Sequence, residues 1–109
     1  MTQQAEILNT GLEMALEWGE NFGKPIGPRL AERYPSLSEQ QLNDYGEICK
    51  KVKSLGFDLI YELYPKSSPK GSIGGDWRQE VLKQYPWVSE DNLSHIYTQG
   101  CYYAWRDFG

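Results

Sequence analysis

The phrase YPSLSEQQL, beginning at Tyr34, returns as YPWVSEDNL, beginning at Tyr85, at an offset of 51 residues and with five of nine positions identical. No other feature constrains the fold as tightly, because each copy contains both a stop and a start. Proline has no N–H and its ring clashes with the preceding turn, so Pro35 and Pro86 end whatever helix comes before them. Ser38 and Ser89 then stand as N-caps, since a serine hydroxyl accepts a backbone N–H left unpaired in the first helical turn. Gln41 can reach back to the Ser38 amide and close a capping box, while Leu37 with Leu42 and Val88 with Leu93 suit a hydrophobic staple. Asn92 is one methylene shorter than Gln41, so the reciprocal arm is expected to be weaker in the second copy. Glu39, Glu90 and Asp91 put negative charge where the helix dipole favours it. Each copy therefore spells helix, Tyr-Pro turn, capped helix.

The flanking segments carry helical periodicity. From Gln3 to Gly19, the residues Ile7, Leu8, Leu12, Met14, Ala15, Leu16 and Trp18 recur at three- and four-residue intervals, which predicts an amphipathic helix; Gly23 and Pro25 mark the turn beyond it. Gly27 as N-cap and Pro28 at the first helical position predict a short helix ending at Pro35. After Ser38 the set Leu42, Tyr45, Ile48, Cys49, Val52, Leu55, Leu59, Ile60 and Leu63 keeps helical spacing to about Tyr64. Gly56 is a point where this helix can kink or stop, with Asp58 as the cap of a restart. PKSSPKGSIGG, residues 65–75, has the composition of an exposed loop. Asp76 is the expected cap of a helix running from Trp77 to about Tyr85, and the last helix spans Glu90 to about Arg106. No segment alternates as a strand does. The expected fold is all-α and a single domain over 1–109: a compact five-helix bundle, with an N-terminal helix and two similar helix-turn-helix hairpins, about 28–64 and 76–106, joined by the Pro/Ser/Gly loop. Internal duplication and two separate uses of one capping solution explain the repeated phrase equally well.

Composition narrows the function classes. The chain carries a formal net charge of −4 and 14% aromatic residues, and no apolar run reaches the roughly 20 residues of a membrane span. The first residues hold Glu6, Glu13 and Glu17 but no Lys or Arg, unlike a signal peptide, so a cytoplasmic location is expected. There Cys49 and Cys101 would be reduced, packed thiols. His95 is the only histidine; Asp91 shares its helical face, but neither a second histidine nor a carboxylate triad completes a metal set. Cys101, six residues on, lies about 240° around the helix from His95, which gives no local nucleophile–base pair. SIGGDW lacks the spacing of a phosphate-binding loop. No cofactor, metal or catalytic constellation is expected, which points to a chain that is not an enzyme.

Two helix-turn-helix units raise the alternative of nucleic-acid binding. In such readers the first turn of the second helix lies near phosphates, yet here those turns are Glu39-Gln40-Gln41 and Glu90-Asp91-Asn92, and the basic cluster Lys50, Lys51 and Lys53 is small. Aromatic residues favour a protein partner instead. Tyr97, Tyr102, Tyr103, Trp105 and Phe108 cover more of the last helix than one buried stripe needs, and Tyr, Trp and Arg are the residue types that dominate interfaces. The candidate partner-binding residues are Trp87, where the first copy has Ser36, with Tyr102, Tyr103, Trp105 and Arg106. DLIYELYPKSSPKGSI, Asp58 to Ile73, is similar to a stretch of colicin-type immunity proteins, small acidic helical inhibitors, at Asp58, Leu59, Ile60, Tyr61, Tyr64, Pro65, Ser68, Pro69 and Gly71. Glu62-Leu63 is an insertion, the acidic run is absent and the flanking helices follow another order, so the similarity indicates a class of function and not membership. The expectation is a small acidic protein that binds another protein as an inhibitor, immunity factor or regulator.

Overall fold

The computed structural model describes residues 2–17, 25–66 and 73–108. The described residues are all-α, with five α-helices and a short 3-10 turn: α1 (Gln3–Ala15), α2 (Gly27–Arg33), α3 (Glu39–Leu63), the 3-10 turn Tyr64–Lys66, α4 (Gly74–Gln84) and α5 (Glu90–Phe108). Trp18, the Gly23 turn and most of the Pro/Ser/Gly loop lie outside the described residues. No described helix is long and apolar enough to cross a membrane. The chain forms two compact units, Met1–Lys53 and Ser54–Gly109, so that α3 belongs to the first over its N-terminal part and to the second over its C-terminal part.

In the first unit, α1 opens on Thr2, whose hydroxyl accepts the Ala5 N–H at 3.1 Å; such a cap stabilises by about 1 kcal/mol. Its buried stripe, Ile7, Leu8, Leu12 and Leu16, joins Ile26, Leu30, Cys49 and Val52 in one core. Gly11 lets this happen at close range: a Cβ there would sit 3.1 Å from the Cys49 sulfur and 3.2 Å from Ile26 Cδ1. Two polar links tie α1 down. Thr10 and the Tyr34 hydroxyl are 3.1 Å apart, and Lys53 Nζ donates to the Ala15 carbonyl at 3.2 Å. The second link answers an orphan carbonyl at a helix end that has no basic residue in its own last turn.

In the second unit, the C-terminal part of α3 packs against α4 and α5 around Ile60, Trp77, Val81, Leu93, Ile96 and Ala104. Gly56 does not interrupt α3, and Asp58 is an exposed helical residue, not a cap. Close packing is the reason. A Cβ on Gly56 would lie 2.5 Å from Ile96 Cγ2, and one on Gly100 would lie 2.3 Å from Ile60 Cδ1. The two glycine–isoleucine pairs run in the same chain direction, so α3 and α5 lie parallel and each receives the other's isoleucine. The Trp77 indole donates to the Gly56 carbonyl at 2.9 Å, which secures the glycine's backbone.

The repeated phrase folds twice in the same way. Tyr34 and Tyr85 take nearly identical backbone angles, φ −128° and ψ 75° against φ −132° and ψ 73°. Their N–H groups donate to Leu30 and Val81 at 2.8 Å in both cases. Ser38 Oγ accepts from Gln41 and Ser89 Oγ from Asn92, at 3.1 and 3.2 Å, and Gln41 Oε1 returns the bond to the Ser38 N–H at 2.9 Å. Asn92 is buried. Two expected caps are corrected, for a shared reason. The N-cap of α2 is Ile26 rather than Gly27, and α4 starts at Gly74 with Ile73 as its cap, which leaves Asp76 inside the first turn and moves Gly74 and Gly75 out of the expected loop. In each case a buried apolar cap residue stands four positions before a buried side chain, Ile26 before Leu30 and Ile73 before Trp77, and the i to i+4 backbone bond between them closes at 2.8 and 3.0 Å. Burial of that pair overrides the weak helix propensity of glycine. The second unit thus repeats the order helix, short helix, Tyr-Pro turn, helix, with the end of α3 in the place that α1 holds in the first.

Candidate functional site

The last three turns of α5 present two faces. Ile96, Gly100 and Ala104 are buried, and the opposite side carries Tyr102 at 53% exposure and Trp105 at 59%, while Phe108, one turn past Ala104, is 40% exposed at the helix end, a concentration of large apolar surface that water does not favour. The helical repeat accounts for the split: Tyr102 and Trp105, three apart, share one stripe while Ile96, Gly100 and Ala104 follow another at four-residue steps.

The outward rings rest on a fixed base. Tyr103, half-buried, meets Phe57 edge to face at 5.9 Å between centroids, and the Arg106 guanidinium lies 5.2 Å from the Tyr103 ring centre. Tyr102 packs on Tyr103 at 5.8 Å and on Trp105 at 6.4 Å. Phe108 is held by Tyr61 at 5.5 Å and by a stacked Tyr64 at 6.4 Å. Beside it the Tyr61 hydroxyl donates to Asp107, and this bond, with the carboxylate's charge, raises the phenol's pKa. Ring pairs of this kind contribute about 0.5–1.5 kcal/mol each beyond buried area, so the patch is held in shape by its own contacts.

The structure brings Tyr102, Tyr103, Trp105 and Arg106 together. Trp87 stands apart from them, half-buried and edge-on to Tyr85 at 6.3 Å; it precedes α5, whose rise of about 1.5 Å per residue puts roughly 22 Å of helix between Glu90 and Trp105. Sequence reasoning missed Phe57, Tyr61 and Tyr64 as members of the cluster, and it counted Phe108 among the surplus aromatics of the last helix without placing it in the site. Their signal was the aromatic spacing Phe57, Tyr61, Tyr64 along the end of α3 and into the turn after it, of which the apolar stripe read from the sequence included neither Phe57 nor Tyr61.

The titratable groups singled out earlier have other engagements. The His95 ring is engaged within its own helix, its Nε2 lying 2.9 Å from the Gln99 Nε2. The Cys49 thiol donates to the Leu8 carbonyl, and burial pushes its pKa up to about 12. Burial also raises Cys101, against a hydrogen bond with Tyr97 that acts the other way. Both cysteines are free thiols. A raised pKa keeps a thiol protonated and a poor nucleophile at neutral pH. Among the described residues no group of three or more His, Cys, Asp or Glu side chains is placed to hold a metal ion. The first turns of α3 and α5 expose Glu39, Glu90 and Asp91. No family model, curated protein or solved structure matches the chain.

Proposed function

We propose that this chain acts by binding another protein through the C-terminal face of α5, as an inhibitor, immunity factor or regulator of that partner, and not by catalysis. The observation that carries the reading is the pair Tyr102 and Trp105, more than half exposed and adjacent, braced from behind by Tyr103, Phe57 and Arg106. Rigid aromatic side chains supply interface area at low entropic cost, and tyrosine, tryptophan and arginine supply most hot spots. Thiols held protonated by burial further support binding over nucleophilic chemistry. Acidic first turns on α3 and α5 weigh against the nucleic-acid alternative, because phosphates need cations there.

The test is affinity capture from native cytosol with the wild type and the Tyr102→Ala/Trp105→Ala variant, alongside retention on heparin and duplex DNA. A partner held by the wild type and weakened at least thirtyfold by the variant, with thermal melts unchanged, supports the proposal; that loss corresponds to about 2 kcal/mol, the threshold of a hot spot. Capture indifferent to the variant rejects this face. Salt-sensitive retention on DNA favours the alternative.

A further inference from the structure

The two units differ most at one equivalent place. In the first, a groove of about 460 Å³ is lined by Ile26, Gly27, Leu42, Asn43 and Gly46, among others; in the second, a dent of about 160 Å³ is lined by Trp77, Arg78, Leu93, Ser94 and Tyr97, together with Gly74. These two sets of five match one for one at the offset of 51 that relates the Tyr-Pro phrases. The site in the second unit is filled by its own side chains. Tyr97 lies on Trp77 at 5.2 Å between ring centres, and Arg78 turns to pair with both carboxylate oxygens of Glu90. The first unit has glycine at both filling positions, and a Cβ on Gly27 or Gly46 would meet nothing within 4 Å. Neither glycine is there to admit a close helix, unlike Gly11, Gly56 and Gly100. Both leave space.

The rim changes as well. Lys50 and Lys53, one turn apart on α3, line the groove where the second unit has Cys101 and Ala104. Lys50 is exposed, while Lys53 is partly buried against the Ala15 carbonyl, and that burial lowers its pKa, so an added anion would be welcome beside it. Glu47 also lines the groove, which leaves two ammonium groups to one carboxylate. The volume falls in the range of small-molecule sites, and the lining, mostly apolar with a few polar groups at one edge, is the usual one.

We propose that this groove is a binding site for a small aryl-alkanoate, its aromatic ring lying where the second unit places the Tyr97 ring and its carboxylate meeting Lys50 and Lys53. An aromatic body follows from the self-filled site, where the Tyr97 phenol, packed on the Trp77 indole, takes up the matching space. An anionic head follows from the two lysines that the filled site lacks. This goes beyond the protein-binding face on α5 and does not depend on it.

The experiment is a titration of the full chain with 3-phenylpropionate, followed by backbone amide shifts, with 3-phenylpropan-1-ol and octanoate as comparison ligands. Saturable shifts are expected at the start of α2 and in the first half of α3. Binding should weaken at least tenfold in Lys50→Met, for the uncharged alcohol and for octanoate. Gly46→Tyr, which copies the second unit, should abolish binding; Gly27→Arg is the second filling variant should the first fail to fold by circular dichroism. No saturable shift overturns the proposal, as does undiminished binding in a folded filling variant. Equal affinity for the alcohol overturns the anionic head, and equal affinity for octanoate overturns the aromatic body.

Discussion

The two units answer the same local instructions with different interiors. Both stop a short helix at a tyrosine, turn at a proline and restart on a serine cap, with backbone angles that agree within a few degrees. Yet the first closes its core with aliphatic side chains, a cysteine and a glycine at Gly11, while the second uses Trp77 and two interlocked glycine–isoleucine pairs. Capping chemistry is satisfied within four residues and tolerates any core beyond it; packing depends on what each helix meets. A repeated frame with divergent interiors lets one copy specialise in being solid and the other in being open.

The comparison breaks most visibly at position 77 against position 26. Trp77→Ala removes a side chain with 2% exposure together with the bond it donates to the Gly56 carbonyl, so a loss near the upper end of about 3–5 kcal/mol is expected in urea unfolding. Ile26→Ala, at 8% exposure beside the groove, leaves a space that water can share and should cost about 2 kcal/mol, the low end for its class. Equal costs would mean that the two cores are equally tight.

The glycines sharpen the contrast next, because the same substitution should change sign. Gly56→Ala gains helix propensity of about 0.5–1 kcal/mol but drives a Cβ to 2.5 Å from Ile96 Cγ2, a methyl on a stiff, β-branched, fully buried side chain. Overpacking costs about 1–3 kcal/mol, so destabilisation wins. Gly46→Ala meets nothing within 4 Å and should stabilise by about 0.5–1 kcal/mol. Paired denaturation midpoints of the two variants decide it. Smaller still is the difference between caps: Ser38→Ala and Ser89→Ala should each cost about 1 kcal/mol, but only in the first copy does the further change Gln41→Ala remove a bond back to the cap's N–H.

Much of this frame was legible in the sequence. Pro35, Pro86, Ser38 and Ser89 act through their nearest neighbours, and local rules found them; the all-α class and all five helices followed from spacing. Whether α3 runs through Gly56 stayed open and Asp76 was misread as a cap, because the deciding partners, Ile96 and the buried Ile73–Trp77 pair, are tertiary. In the candidate site the outward placement of Tyr102 and Trp105 followed from 100° per residue. Their bracing by Phe57 did not, since nothing local says which stretch of α3 a tyrosine on α5 will meet. The open groove was hidden for the same reason: Gly27 and Gly46 gain meaning only when set against Arg78 and Tyr97 in a structure that shows both sites.

The smallest expected effect is the pH dependence of an ion pair that the equivalent positions of the first unit cannot make. Arg78 on α4 pairs with Glu90 at the start of α5, where the first unit has Gly27 and Glu39. The guanidinium bond holds the Glu90 carboxyl below its ordinary value of 4.5. A carboxyl whose folded-state pKa is depressed stabilises the fold above the unfolded pKa and loses that contribution as pH falls through the folded one. The ion pair therefore acts fully at neutral pH and fades on acidification below about 4.5. Both partners are solvent-exposed, so screening keeps the effect small and salt-sensitive. Arg78→Met should flatten the acid limb of a melting-temperature profile slightly at low salt and leave it unchanged in high salt, while Glu39→Gln, the matching probe of the first unit, should remove no ion pair of this kind. A larger acid shift from Glu39→Gln than from Arg78→Met would show that the turn in the first unit is held by a charge, and the two copies would then differ in the opposite sense.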